Sequence, residues 1–280
     1  MINCRPRWPL LSVGGLLGLG LCTLANAQDQ PGAMYSSSQA SADPAPTNGA
    51  ADPDSGSHIG FTLYLWFPGT NGTMGAGGHD VHFRASAGDL LSNSLFGLMG
   101  AVNVEHRGFV LLTDVMWVRL RATNAIALPF PGLPPLSAEV KANQVIANPE
   151  IGYRFVNREK VKIDALWGIR YWHLDSSLQF TPSLLALNFS GSQDWVDPLM
   201  GARFQFSLSP RVLVTLRGDA GAWSAANLDY QVQGVLGLKV TQKLILGVGY
   251  RYLYVDYRPP NFVFDTAMTG PGVALTYNFR

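Results

Sequence analysis

From His58 onward, apolar residues alternate with polar or small ones, so every second side chain lies on the same face of an extended strand. In the segment 60–67, for example, Phe61, Leu63 and Leu65 share one face. No stretch of this region shows the period of an amphipathic helix. The pattern predicts ten strands, at about 58–67, 95–106, 107–121, 140–156, 160–175, 192–208, 211–223, 227–238, 241–256 and 267–280.

The predicted connections alternate in length. If the first strand runs outward, four of the five outer connections are long, whereas the four inner ones are short turns. Long outer loops and tight periplasmic turns are typical of outer-membrane barrels, and strands of about 9–11 tilted residues span a bilayer. The sequence therefore predicts an all-β fold over 58–280. We expect a closed, antiparallel, up-and-down transmembrane β-barrel of about ten strands, within a range of about 8–12.

The first 27 residues have the form of a secretory signal peptide. Arg5 and Arg7 precede the apolar stretch 10–24, which is too short for a stable membrane-spanning helix. A small-x-small cleavage pattern then ends at Ala27. We expect residues 1–27 to be removed on export to the periplasm.

Both cysteines, Cys4 and Cys22, fall within this predicted signal. A lipoprotein signal ending at Cys22 is disfavoured, because Leu21 is larger than the residue that such signals place there. The mature part then has no disulfide and no Cys-based metal site or nucleophile. Loss of two arginines lowers the basic residues from 20 to 18, against 19 acidic ones. This balance gives no reason to expect a nucleic-acid partner.

Residues 28–57 differ from the rest of the chain. They are rich in Ala, Ser, Pro, Gly and Asp and contain little that could fill a core. Such a segment cannot bury enough apolar surface to offset the entropy lost on ordering. We therefore expect a disordered periplasmic tether here, followed by the barrel at 58–280.

The two faces of the predicted strands differ in composition. Because charges facing lipid are costly, parity within each strand assigns the charged face to the lumen and the aromatic face to outer-membrane lipid. The outward set includes Tyr153, Phe155, Trp167, Tyr171, Phe204, Phe206, Tyr250, Tyr252, Tyr254, Tyr277 and Phe279. The inward set holds the acids Glu105, Asp114, Glu150, Asp164, Asp197 and Asp219 and the bases Arg154, Lys162, Arg170, Arg203, Arg217 and Arg251.

A weak internal repeat, Asn/Asp-x-x-x-Gly-x-Arg, positions three of these arginines. It occurs at 148–154, 164–170 and 197–203, and in each copy the polar residue, the Gly and the Arg share one face. We expect each Gly to make room for an arginine of the neighbouring strand. Pro149 and Pro198 fall within predicted strands, where we expect them to mark bulges.

The turn near Glu159 sets the register of the strands on either side of it. Opposite charges on neighbouring strands lie close enough for bidentate contacts. The sequence therefore predicts a charge-neutral network that largely plugs a narrow lumen. The expected pairs are Arg154 with Asp164, Asn148 with Arg170 and, in an assumed register for the next strand, Arg170 with Asp197 and Asp164 with Arg203.

Several motifs resemble those of small outer-membrane β-barrel proteins of Gram-negative bacteria, broadly OmpA- and OmpW-like. They are Trp195-x-Asp197-Pro198-x-x-Gly201-x-Arg203, Gly218-Asp219-x-Gly221, Gly249-Tyr250-Arg251-Tyr252-Leu253 and Leu275-Thr276-Tyr277-Asn278-Phe279. The resemblance covers about 58–280. It implies location in the outer membrane and insertion by the barrel-assembly machinery, with periplasmic chaperones during export. Tyr277 and Phe279 would belong to the C-terminal assembly signal, although Arg280 follows the final aromatic residue. The resemblance implies no settled activity and no catalytic residues.

The residues give little support for enzymatic activity. His79-x-x-His82 has no identified further ligands, so we expect no metal site there. His173 is predicted to point outward, and Asp256 with Asp265 could resemble the carboxylate pair of a protease. We found no motif for a cofactor or a nucleophile–base pair. We expect a non-enzymatic protein without a cofactor.

Three functions stay open at this point. The first is a structural or surface-contact barrel whose lumen is plugged. The second is a narrow channel for small or hydrophobic solutes, and the third is an enzyme that modifies outer-membrane lipids or peptides.

Overall fold

A computed structural model describes residues 56–76, 79–126, 136–181, 189–221 and 226–279. The predicted signal peptide and almost all of the predicted tether lie outside these residues, so both stay predictions. The described part contains the strands β1 (His58–Trp66), β2 (Gly69–Ala76), β3 (His79–Ala85), β4 (Ser94–His106), β5 (Phe109–Ile126), β6 (Leu136–Asn157), β7 (Val161–Thr181), β8 (Phe189–Ser207), β9 (Val212–Gly221), β10 (Ala226–Lys239), β11 (Leu244–Tyr257) and β12 (Phe262–Phe279). One helix, α1 (Ala87–Ser92), lies between β3 and β4. Nowhere in the described ranges is a helix both long and apolar enough to cross a membrane.

The strands form a closed barrel. From β4 to β12 each strand pairs with the next one in the chain, and β1 pairs with both β4 and β12. β1 and β2 are two halves of one wall strand, since Ile59 pairs with Phe279 and Gly69 pairs with Thr269 further along β12. The barrel therefore has ten antiparallel strands in up-and-down order, as predicted.

The register tilts the strands. A path that starts at Ile59 and moves from each residue to its partner on the next strand goes once around the barrel. It returns to the first wall strand at Asn71, twelve residues further along. Such a stagger in a barrel of this size corresponds to a tilt of about 35–45°. The tight turn between β4 and β5 has positive φ at Arg107 (48°) and Gly108 (82°), which matches the twist of a two-residue hairpin.

The segment 68–94, which the predicted strands 58–67 and 95–106 leave as an outer connection, consists largely of regular secondary structure. It contains β2, the β2–β3 hairpin and α1, none of which the alternation pattern predicted. α1 begins with a capping box in which the Ser86 side chain accepts from the Asp89 N–H, while the Asp89 carboxylate accepts from the Ser86 N–H. β2 has little apolar alternation, and its pairing with β12 fixes its conformation instead.

The expected bulges at Pro149 and Pro198 were wrong. Both prolines point outward and keep regular pairing with one neighbouring strand. On the other side, the β6–β7 ladder passes from Ala147 to Glu150 without an intermediate pair, and the β8–β9 ladder begins only at Met200. A proline has no backbone N–H to donate to a neighbouring strand. Each of these two prolines therefore lies where the pairing with one neighbouring strand is missing.

Candidate functional site in the barrel lumen

The twelve predicted lumen residues lie on the inward parity of their strands. Glu105, Lys162 and Arg217 are partly buried, and the other nine are buried. The outward aromatic residues, by contrast, are half-buried or exposed on the lipid-facing surface. Sequence reasoning missed Asp229 and Gln231 on β10, which are fully buried. Asp229 and Gln231 lie on the face of β10 opposite to exposed Leu228. This alternation along the strand was the signal that could have identified them.

The predicted registers are confirmed. Arg154 pairs with Asp164 across β6 and β7, and the same register continues upward to place Asn148 opposite Arg170. The assumed register of β8 is also correct: Arg203 pairs with Asp164, and Asp197 pairs with Arg170.

The lower cluster, made of Glu105, Arg154, Asp164 and Arg203, is a closed ring of charges near the end with the short turns. Arg154 Nε lies 2.8 Å from Asp164 Oδ1, and its Nη1 lies 2.7 Å from Glu105 Oε2. Arg203 Nη2 lies 2.6 Å from Asp164 Oδ2 and 3.0 Å from Glu105 Oε1. Since Glu105 is on β4 and the others are on β6 to β8, these contacts cross the lumen.

The middle cluster is built around Arg170, which is fully buried. Its guanidinium donates to Asn148 Oδ1 at 2.7 Å, to Asp219 Oδ1 at 2.5 Å and to Asp229. Asp229 also accepts from Trp172 Nε1 at 2.9 Å. Arg170 thus joins three strands, a wider connection than the predicted Asn148–Arg170–Asp197 row.

Asp197 has further partners that the register alone did not indicate. Its carboxylate accepts from Trp195 Nε1 at 3.1 Å and from the backbone N–H of Ala226 at 2.8 Å. The side chain therefore binds the beginning of β10 as well as lying opposite Arg170.

Two more arginines complete the inward network. Arg217 Nη2 lies 2.7 Å from Glu150 Oε2, and its Nε lies 3.3 Å from Asp219 Oδ2. On the opposite wall, Arg251 Nη1 lies 3.1 Å from Asp114 Oδ2. Tyr64 donates to Asp114 Oδ1 at 2.5 Å, and the Arg251 guanidinium lies 4.9 Å from the Trp66 ring centre.

Above the charges lies an inward-facing apolar cluster that sequence reasoning did not identify. Trp195 stacks between Trp172, at 5.3 Å, and Tyr257, at 4.1 Å, and both tryptophans contact the edge of Phe264. The alternation pattern hid this cluster, because here both faces of a strand are apolar. Its other buried members are Trp66, Met99, Met116, Ile146, Leu174, Ala226, Leu253, Val255 and Met268.

The glycines of the internal repeat do not make room for arginines, contrary to the expectation. A Cβ at Gly168 would lie 2.7 Å from Glu150 Cγ, and one at Gly201 would lie 2.8 Å from Asp219 Cβ. These two glycines instead leave room for the stem of an acidic residue on the adjacent strand. Gly152, in the first copy of the repeat, leaves room for Leu166, since a Cβ there would lie 2.6 Å from Leu166 Cδ2.

The other candidate residues lie towards the outer rim. His173 points outward, as predicted, and shares Asp194 with Tyr171. Asp256 and Asp265 pair across β11 and β12, and Arg258 binds both carboxylates. In loop 68–94 the Thr73 hydroxyl lies 2.8 Å from His82 Nδ1. No group of three or more metal-ligating side chains occurs among the residues for which placement is described.

Comparison with solved structures shows the fold. The outer membrane protease OmpT of Escherichia coli superposes with a TM-score of 0.54 at 11% identity, over 80% of this chain and 97% of that chain. The translocator domain of the autotransporter NalP from Neisseria meningitidis gives 0.39 at 14% identity, over 83% and 91%. The attachment invasion locus protein Ail of Yersinia pestis gives 0.30 at 12%, over 80% and 99%.

No protein-family model and no curated protein matches the sequence. The superposition on OmpT shows that the chain shares the β-barrel fold of that outer membrane protease.

Proposed function

We propose that this outer-membrane barrel is a non-enzymatic protein with a plugged lumen, which does not conduct and serves a structural or surface-contact role. The observation that carries the proposal is the lower cluster. Its four side chains connect β4 with β6, β7 and β8 through contacts of 2.6–3.0 Å across the bore. A barrel of this size has little free interior, since eight strands are already filled by side chains.

Charge balance in the lumen also supports a plug. With Asp229, the inward set has seven acids and six bases, and most of them bind a partner of opposite sign. A pore that selects ions more often carries an excess of one sign along its wall. Removing the partner of a buried charge is also strongly destabilising, so such a network resists opening.

The apolar cluster provides a second barrier above the charges. Trp172, Trp195, Tyr257 and Phe264 bring side chains from β7, β8, β11 and β12 into ring contact. Apolar constrictions exclude water and therefore ions. The two barriers lie at different heights, and both would have to open for solute to pass.

The surface-contact role is supported by the long outer ends of β5 to β8. These strands have 18 to 22 residues, about twice the 9–11 needed to span the membrane. The extensions present charges, including the Arg121–Glu139 pair at 3.0 Å. These charges offer polar contacts to another molecule outside the membrane.

Planar-bilayer recording tests the proposal. The purified, refolded protein should give no stepwise currents. A variant lacking both barriers, with Arg154→Ala, Arg203→Ala, Trp172→Ala and Trp195→Ala, should conduct and so shows that the assay detects open barrels. Stepwise currents from the unaltered protein that change on Asp197→Asn would contradict the proposal and favour the channel.

Enzymatic activity needs a separate test. Arg258 engages both carboxylates of the predicted protease-like pair, which supports a role in holding the last outer connection. Lipid A mass spectra should be unchanged on overexpression, and the refolded protein should not hydrolyse peptides. A new lipid A species, or cleavage abolished by Asp265→Asn, would establish an enzyme instead.

A further inference from the structure

An apolar cavity of about 380 Å³ lies at the outer end of the barrel, beside the apolar cluster. Its volume is within the range of about 300–1,000 Å³ typical of small-molecule sites. Four methionines contribute to its lining, and their flexible side chains adapt to ligands of different shape. The principal lining side chains are Trp66, Met74, Met99, Met116, Phe264 and Met268.

The pairing of wall strands is interrupted beside this cavity. The β1–β4 ladder ends at the pair Leu63–Gly100. Immediately above it, the Trp66 N–H donates to Met99 Sδ at 3.3 Å instead of to a backbone carbonyl. Leu65, which is on the lipid-facing side and 51% exposed, and Leu91 of α1 border the same cavity. The interruption therefore lies beside the cavity, with exposed Leu65 and α1 at its edge.

Two polar groups in the cavity lack a protein partner. The Gln144 Nε2 and the Thr266 Oγ1 are both buried, line the cavity and have no hydrogen-bond partner among the described residues. A buried donor without a partner is unfavourable, so these groups are suited to an acceptor atom on a ligand. An amide N–H and a hydroxyl together fit a carbonyl or carboxylate oxygen.

We propose that this cavity binds one hydrocarbon chain that carries a carbonyl or carboxylate oxygen and enters sideways from the membrane. The apolar lining takes the chain, while the Gln144 amide and the Thr266 hydroxyl are the donors available to its oxygen. The same chemistry is offered by the ester-linked acyl chain of a membrane lipid and by a free fatty acid. The inference does not depend on the lumen being closed, because the chain enters through the wall.

Binding of the fluorescent fatty acid cis-parinaric acid to the refolded full-length protein tests this proposal. The unaltered protein should bind it saturably, one molecule per barrel, and palmitate should displace it. Ala142→Phe fills the cavity and should weaken binding at least tenfold. The matched control, Ala274→Phe, places the same ring in a separate lower cavity and should leave binding unchanged.

A second variant keeps the test decisive if Ala142→Phe does not fold. Thr266→Val preserves shape and removes the hydroxyl, so parinaric acid should bind about five-fold more weakly for the loss of one hydrogen bond. The inhibition constant of hexadecane, which has no oxygen, should be the same for both proteins. Unsaturable partitioning, or equal affinity in the unaltered protein and a folded Ala142→Phe variant, would overturn the proposal.

Native mass spectrometry distinguishes the two sources of the chain. Protein extracted from phospholipid bilayers should carry one phospholipid, lost in Ala142→Phe but kept in Ala274→Phe, if the natural occupant is a lipid. If only added palmitate is retained with the same variant dependence, the natural occupant is a free fatty acid. Absence of both adducts from the unaltered protein contradicts the binding site itself.

Discussion

Arg154 and Asp164 face each other in register on adjacent strands, with Arg154 Nε 2.8 Å from Asp164 Oδ1. The pair is only ten residues apart in the chain, and the tight turn between β6 and β7 places it. Glu105 and Arg203 then close the lower cluster from strands that are distant in sequence. The Arg154–Asp164 pair, which is local in the chain, thus takes part in a cluster that connects strands on different sides of the barrel.

Replacing Arg154 by methionine should destabilise the barrel by about 3–5 kcal/mol, the usual cost of breaking a buried ion pair from one side. Glu105 and Asp164 would then share Arg203 alone. Urea unfolding in lipid vesicles, followed by tryptophan fluorescence, measures the change. Arg211→Met in an exposed turn is the matched control and should alter stability by no more than about 0.5 kcal/mol. Equal losses in the two variants would show that the lower cluster contributes no stability.

Truncation of Trp195 to alanine should cost about 3–5 kcal/mol, because it removes the central ring of a stacked, buried cluster. Trp167→Ala makes the same change on the lipid-facing side, where the ring is 45% exposed. Acyl chains can fill the space there, so its cost should be clearly smaller. The same urea titration compares the two, and a larger loss for Trp167 would contradict an apolar core within the lumen.

Phe279→Ser should lower the amount of folded barrel in the outer membrane while changing the stability of refolded protein only slightly. Phe279 and Tyr277 are outward-facing rings 4.9 Å apart at the end of β12, where the assembly signal is expected. Heat-modifiable electrophoretic mobility of membrane fractions measures folded protein in cells. Tyr153→Ser, another outward aromatic near the same end, is the control. Equal yields of the two variants in the membrane fraction would contradict a role of the terminal residues in assembly.

α1 should loosen in acid. The hydrogen bonds from the Ser86 side chain and backbone lower the pKa of Asp89 below its ordinary value. Because the pKa of Asp89 is lower in the folded protein than in the unfolded one, its carboxylate stabilises the cap fully at any pH above the unfolded-state pKa. This contribution is lost as the pH falls through the lower pKa of the folded state. A nitroxide label at Leu91 should therefore become mobile only in strong acid.

Ser86→Ala provides the control for the acid response of α1. Removing the hydroxyl takes away the largest cause of the shift, so the pKa of Asp89 should rise towards its ordinary value. The mobility transition of the label should move to higher pH. A transition at the same pH in both proteins would mean that another group controls the order of α1.

Much of the barrel was predictable because its local rules are strong. Alternation at residues such as Phe61, Leu63 and Leu65 identified the lipid-facing side, and parity placed the lumen charges correctly. The short turn near Glu159 fixed the pairing of Arg154 with Asp164. Segment 68–94 was not predicted by alternation, since β2 takes its conformation from pairing with β12 and α1 is a six-residue helix whose signal is a capping box rather than an apolar pattern.

The sequence by itself determined the strand count, the faces and the register across the tight turn near Glu159, because a period of two residues and a tight turn act between residues that are close in the chain. Only the tertiary structure decided that Arg170 reaches Asp219 and Asp229, that Trp195 stacks on Tyr257, and that the pairing of wall strands is interrupted above Leu63. These features depend on which strands face one another across the lumen. The closure and the stagger of the whole barrel determine which strands face one another. The sequence of a single strand does not specify this arrangement.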